Sequence, residues 1–243
     1  SLTEELRRVV KEIEEVVRRD VRTLEEVVKK ITEVVRRDDK SLREVVKRNE
    51  ELVRLLARGD RRDEDVLRAV AKSNKELLDS SREVLKTVAD LLRRLLESSK
   101  RVADRVEELA RRLLKMVKDS GKDDRKLREK LKKILREYRE RLKEVAKKIR
   151  DALKRYEDIL REIEKKNRDV LKRAEELRSK DTSEKDRREI LRELVELTER
   201  SVEEIARVNK ELVDIVRELV KELKRLNERL VELVKRLVEE TAT

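Results

Sequence analysis

Cysteine, proline, histidine, phenylalanine and tryptophan are all missing from this chain, and glycine occurs only at Gly59 and Gly121. Without cysteine there is no disulfide, no thiol nucleophile and no mark of redox compartment. Without histidine as well, the usual zinc ligand sets and the Glu-x-x-His pairs of di-metal bundles are excluded. Two isolated glycines cannot build a glycine-rich phosphate cradle. A serine beside an aspartate, with no core histidine or lysine to act as base, is a poor nucleophile. No apolar run approaches the roughly 18 residues of a membrane span, and no signal-peptide pattern opens the chain. The sequence therefore reads as a soluble non-enzyme, with no catalytic, cofactor-binding or metal-binding residues expected.

What is present is a narrow helical vocabulary. Hydrophobic residues make up 37% of the 243 and charged residues 53%, about twice the usual charged share. Such charge can signal disorder, but here the apolar residues recur at helical spacing. The pattern breaks at three places: Arg58-Gly59-Asp60, Asp119-Ser120-Gly121-Lys122-Asp123 and Ser179-Lys180-Asp181-Thr182-Ser183. The first two join a glycine, suited to the left-handed residue after a helix, to an aspartate able to cap the next. In the third, Asp181, Thr182 and Ser183 are all credible caps, and Asp181 with Glu184 has capping-box spacing. Ser1 or Thr3 can cap the first helix. The breaks predict an all-α, single-chain, up-down-up-down four-helix bundle, with long and nearly straight helices at about 3–57, 62–118, 124–178 and 184–240. One domain over 1–243 is the expectation.

An internal repeat runs through these segments. VVKEIEEVVRRDVRTLEE (9–26) is followed at once by VVKKITEVVRRDDKSLRE (27–44). VLRAVAKSNKELLDSSRE (66–83) precedes VLKTVADLLRRLLESSKR (84–101), while Tyr138 and Tyr156, and Asn209 and Asn227, are each 18 apart. Eighteen residues are five turns at about 3.6 per turn, which requires supercoiling of neither hand. In repeat length, vocabulary and placement of polar residues the whole chain resembles parametrically designed de novo helical bundles with buried hydrogen-bond networks. The resemblance implies an idealised, hyperstable fold and no evolved activity.

Polar residues on the apolar stripes are the candidates for a specific role. Asp20 and Asp38 occupy the position that Leu56 fills one repeat later, and Asn49 takes the slot of Ile13 and Ile31. The second helix places Ser81 and Ser99 on its stripe with Ser80 and Ser98 beside them, and Asn74 where Leu92 recurs. Tyr138 and Tyr156 match Ala174, and Asn167 matches Leu131 and Ile149; the fourth helix adds Thr198, Ser201, Asn209 and Asn227. Folding the chain at its loops sets Asp38 against Ser80, Ser81 and Ser201, and Asp20 against Ser98 and Ser99. It sets Asn49 against Asn74, Ser73 and Asn167, Tyr156 near Asn209, and Tyr138 near Asn227. Buried together, such layers penalise wrong registers, because a slip sets polar groups against leucine. The alternative is that some of them, Asp20 and Asp38 above all, sit at the stripe edge in water.

Two further features favour plain readings. Arg58-Gly59-Asp60 spells the tripeptide of integrin recognition, yet glycine then aspartate is what a helix junction needs. Net charge is +12, and residues 124–178 hold 22 Lys/Arg against 13 Asp/Glu, with no stacking aromatics or base-reading motif beside them. That predicts no specific nucleic-acid recognition and weak, salt-sensitive phosphate binding at most. No partner is required, and a monomer is expected over a swapped dimer. The leading function is a structural scaffold; the alternative is an interaction module, derived from a heterodimer or built to release a helix.

Overall fold

Helix punctuation is where sequence becomes structure first. A computed structural model describes residues 1–58, 63–121, 125–178 and 183–242. These form α1 (Leu2–Ala57), α2 (Asp63–Asp119), α3 (Arg125–Arg178) and α4 (Glu184–Ala242), with no strand among the described residues. Each helix is 54 to 59 residues long, or about 80–90 Å at 1.5 Å per residue. At the start of α1, Ser1 caps: Glu4 N donates to its Oγ at 3.4 Å and Glu5 N to its carbonyl at 3.2 Å. Ser183 does the same for α4, accepting from Asp186 N at 3.4 Å. These hydroxyls and carbonyls satisfy amides that have no partner inside the helix.

At the end of α2, Gly121 adopts φ +78°, and its N donates to Lys118 O at 3.1 Å. That left-handed residue closes the helix and costs glycine nothing, since it has no Cβ to clash. The expected caps Asp60, Asp123, Asp181 and Thr182, the helix-ending Gly59, and the side chains of Leu56 and Ala174 lie outside the described residues. Through Asp38-Asp39-Lys40-Ser41, residues that also suit a turn, α1 runs without a break.

The helices pack antiparallel in the order α1, α2, α3, α4 around an all-α four-helix bundle. Asp20 meets Ser98 and Asp38 meets Ser80, so α1 and α2 run oppositely. Arg139 pairs with Asp104 across α2 and α3 at 2.9 Å, Arg155 with Glu211 across α3 and α4 at 3.2 Å, and Lys235 with Glu14 across α4 and α1 at 3.1 Å.

Packing divides the chain into two compact units, each taking a segment from all four helices. The first comprises residues 1–30, 90–150 and 214–243, the second 31–89 and 151–213. Leu6, Ile13, Val106, Leu109, Leu113, Leu131 and Val234 centre the first core. Leu42, Leu77, Leu160 and Ile205 centre the second, with Val66, Val70 and Leu194 forming a further cluster in it. No large hydrophobic residue is exposed among the described ones. Each such side chain contributes about 1.5–3 kcal/mol by leaving water. The many exposed Arg–Glu pairs add little apiece.

Candidate functional site

In the first unit a carboxylate sits where a leucine would fit. Asp20 of α1 is 1% exposed. Ser98 of α2 donates its hydroxyl to Oδ1 at 3.3 Å, and Asn227 of α4 donates Nδ2 to Oδ2 at 3.2 Å. Tyr138 of α3 and Ser99 of α2 complete the cluster and are equally sealed. The Tyr138 ring packs on Ala103 and Leu226. The Tyr138 hydroxyl lies close enough to Asp20 and Ser99 to affect ionisation but outside hydrogen-bond geometry with either. Ser99 Oγ and Asn227 Oδ1 are likewise without a protein partner.

Burial raises the pKa of Asp20 by disfavouring its charged form, and the donors Asn227 and Ser98 pull the other way. Burial also pushes the Tyr138 hydroxyl far above its ordinary range, helped by the negative charge of Asp20. At neutral pH Tyr138 is therefore a neutral phenol.

The second unit repeats the arrangement 18 residues along every helix. Asp38, 2% exposed, accepts from Ser80 Oγ at 3.3 Å on Oδ1 and from Asn209 Nδ2 at 2.8 Å on Oδ2. Tyr156 and Ser81 stand where Tyr138 and Ser99 stand in the first unit, with hydroxyls again unpaired. Among the differences between the copies, one changes the charge beside the cluster: Asp39 stands where Val21 does. Asn209 Nδ2 reaches Asp39 Oδ1 at 3.4 Å, and the Asp39 charge raises the pKa of Asp38 beyond the dominant effect of burial. Burial, then Asp38 and Asp39, push Tyr156 up.

A third cluster joins Asn74, Asn167 and Thr198. Asn74 Nδ2 donates to Asn167 Oδ1 at 3.1 Å. The single Thr198 hydroxyl proton has two acceptors within reach, Asn74 Oδ1 and Leu194 O. Ser73 is buried as well.

Two expected meetings do not form. Asn49 is 2% exposed, yet neither its Nδ2 nor its Oδ1 bonds to Asn74, Asn167 or any other protein group. Ser201 does not reach Asp38; its hydroxyl turns back on its own helix to Leu197 O at 2.6 Å. The second correction has a plain cause. The register of α4 on α1 is displaced by about two helical turns from the loop-based expectation, so Asn209 rather than Ser201 lies opposite Asp38. α1 and α4 are joined only through three loops, whose errors add.

Between neighbouring serines the structure also chooses: Ser80 and Ser98 bond the aspartates, while Ser81 and Ser99 face the tyrosines. Adjacent residues point about 100° apart on a helix, so only one of each pair can face α1. The role of Asp39 was missed by sequence reasoning, and its only signal was the departure from Val21 at the equivalent repeat position.

Chemically the clusters are sealed. Asp20 and Asp38 are acidic side chains buried in the interior, at 1% and 2% exposure. Among the described residues there is no group of three or more acidic side chains able to hold a metal ion, and no helix is long and apolar enough to cross a membrane. Hydrogen bonds join α1, α2 and α4 around Asp20 and Asp38, and α2, α3 and α4 around Asn74.

No family model matches the chain, and no curated protein matches it. A solved structure described as a computationally designed three helix bundle is similar to it at 16% identity over 99% of this chain and 93% of that one, with a TM-score of 0.24. At that TM-score the likeness carries no weight for fold or function.

Proposed function

We propose that this chain is a de novo designed structural scaffold without evolved biochemical activity, whose helix order and register are specified by its buried polar clusters. One observation carries the reading. The set Asp20, Ser98, Ser99, Tyr138 and Asn227 recurs as Asp38, Ser80, Ser81, Tyr156 and Asn209, each member moved 18 residues along its own helix. A buried carboxylate is among the least economical ways to fill a core, since leucine would stabilise more. Its gain is specificity: a slip of either helix leaves a charge facing apolar side chains. Repeating the device in both units supports a purpose of alignment over one of catalysis or ligand binding.

Light scattering together with thermal denaturation tests this. A designed single-chain scaffold is a monomer of 29.1 kDa that unfolds as one cooperative domain above about 90 °C, the range counted as hyperstable. A dimer mass, or separate melting of the two units near 60 °C, would overturn it.

A further inference from the structure

The two units share their buried clusters but not their surfaces. Residues 111–150 hold eighteen Lys/Arg against seven Asp/Glu, a net +11 of the chain's +12. All of them belong to the first unit. The second half of α3, residues 151–178, holds nine Lys/Arg against eight Asp/Glu and is close to neutral. The excess is thus confined to one repeat of a duplicated frame.

Its geometry is a row. Arg125, Lys132, Arg136, Lys143, Lys147 and Arg150 fall at helical spacing on one side of α3, all exposed, over about 38 Å. Glu129 and Glu140 interrupt the row. Among the described residues none of the six cations lies within ion-pair distance of a carboxylate. One repeat further along the same side carries Lys154, Arg161, Lys165 and Arg168, and there Arg161 and Arg168 are held by Glu157 and Glu164. Paired cations are already neutralised locally; the first row keeps its field.

We infer that the first half of α3 is a binding surface for duplex nucleic acid, engaged through phosphates and blind to sequence. A linear row of free cations matches a linear polyanion, and displacing condensed counterions drives the association. Single strands are disfavoured because both tyrosines are sealed in the core and no other aromatic residue exists for bases to stack on. Anionic membranes are disfavoured because no large hydrophobic residue is exposed among the described ones to enter the acyl region.

The test compares two variants of equal net charge. K132E/R136E/K143E/K147E reverses the free row; K154E/R161E/K165E/R168E makes the same change in charge on the second unit. All eight positions are exposed, and circular dichroism checks that each variant remains helical. Binding to a fluorescein-labelled duplex of about 20 base pairs is followed by anisotropy from about 50 to 200 mM salt, the range over which phosphate contacts weaken steeply. The wild type should bind with a log–log salt slope of about −4 to −6, and the first variant at least tenfold more weakly with a shallower slope. The second variant should stay within about threefold of wild type. Equal losses in both variants would show a net-charge effect and overturn the assignment. So would tighter binding to a single strand of the same length, or to phosphatidylserine vesicles. If the first glutamate set fails to fold, the K132Q/R136Q/K143Q/K147Q set, measured against K154Q/R161Q/K165Q/R168Q, carries the same comparison at equal net charge.

Discussion

Replacing Asn227 with leucine removes one of the two donors to the Asp20 carboxylate, and the structure sets the size and pH dependence of the loss. Hydrogen bonds to charged groups are worth about 1.5–3 kcal/mol. Asp20 is sealed from water, so nothing in bulk solvent replaces the Nδ2 donor at 3.2 Å. Removing the unpaired Asn227 Oδ1 returns part of that, leaving a net cost of about 1–2 kcal/mol at pH 7. The carboxylate can escape by taking a proton, and the cost then fades. Burial holds the folded-state pKa of Asp20 above its ordinary 3.8, so the folded state binds the proton more tightly than the unfolded chain. Stability from protonation is complete below the unfolded pKa and is lost as pH rises through the folded one. Loss of Asn227 moves the folded pKa further up and widens that window. Guanidinium denaturation of wild type and Asn227→Leu at pH 7 and pH 4 should give a destabilisation at least about 1 kcal/mol smaller at pH 4. A packing defect alone costs the same at both pH values, and that result would refute the reasoning. Asn209→Leu should behave alike with an equal or larger cost at pH 7, because Asn209 also serves Asp39.

Further outcomes follow from the same geometry. The double variant Asp20→Asn/Asp38→Asn removes both carboxyl groups whose pKa values burial raises, so the wild-type gain in stability on acidification from pH 7 should be largely abolished, as read from denaturation midpoints across pH. Asn49→Leu should stabilise by about 1 kcal/mol or more in equilibrium denaturation, since it removes a buried amide with both polar atoms unpaired; a destabilisation would mean the amide is paired in solution. Gly121→Val should cost about 1–2 kcal/mol through backbone strain at φ +78°. Open space around the added Cβ excludes a clash as the cause, so Gly121→Asn, which tolerates that conformation, should recover most of the loss in the same assay.

Helix number, type and ends were legible because glycine and small polar residues interrupt an otherwise unbroken apolar period. The predicted ends at about 57, 118 and 178 fall within one residue of Ala57, Asp119 and Arg178. The polar residues were visible as departures from the repeat, such as Asn167 at the slot of Leu131 and Ile149. Which of them touch was less legible, in proportion to the loops between them. Asp20 with Ser98, one loop apart, was foreseen in kind, whereas Asp38 with Asn209, three loops apart, was displaced by two turns. Which of two adjacent serines faces α1 depends on helix rotation of a few tens of degrees, which periodicity does not resolve. The fate of Asn49 depends on the same rotation.

The central claim, that buried carboxylate–amide pairs set the register of α4 on α1, is tested most directly by a distance between those helices. Because the chain has no cysteine, spin labels at Glu15→Cys and Glu218→Cys, both exposed in the first unit and offset by roughly 20 Å along the helix axes, report it without background. In the otherwise unaltered chain, double electron–electron resonance should show one narrow distance. With Asp20, Asp38, Asn209 and Asn227 all replaced by leucine, helicity should persist while the distribution broadens or gains a population shifted by about one turn, roughly 5 Å. The same single narrow distance in both proteins would mean that apolar packing alone sets the register and that the polar clusters do not.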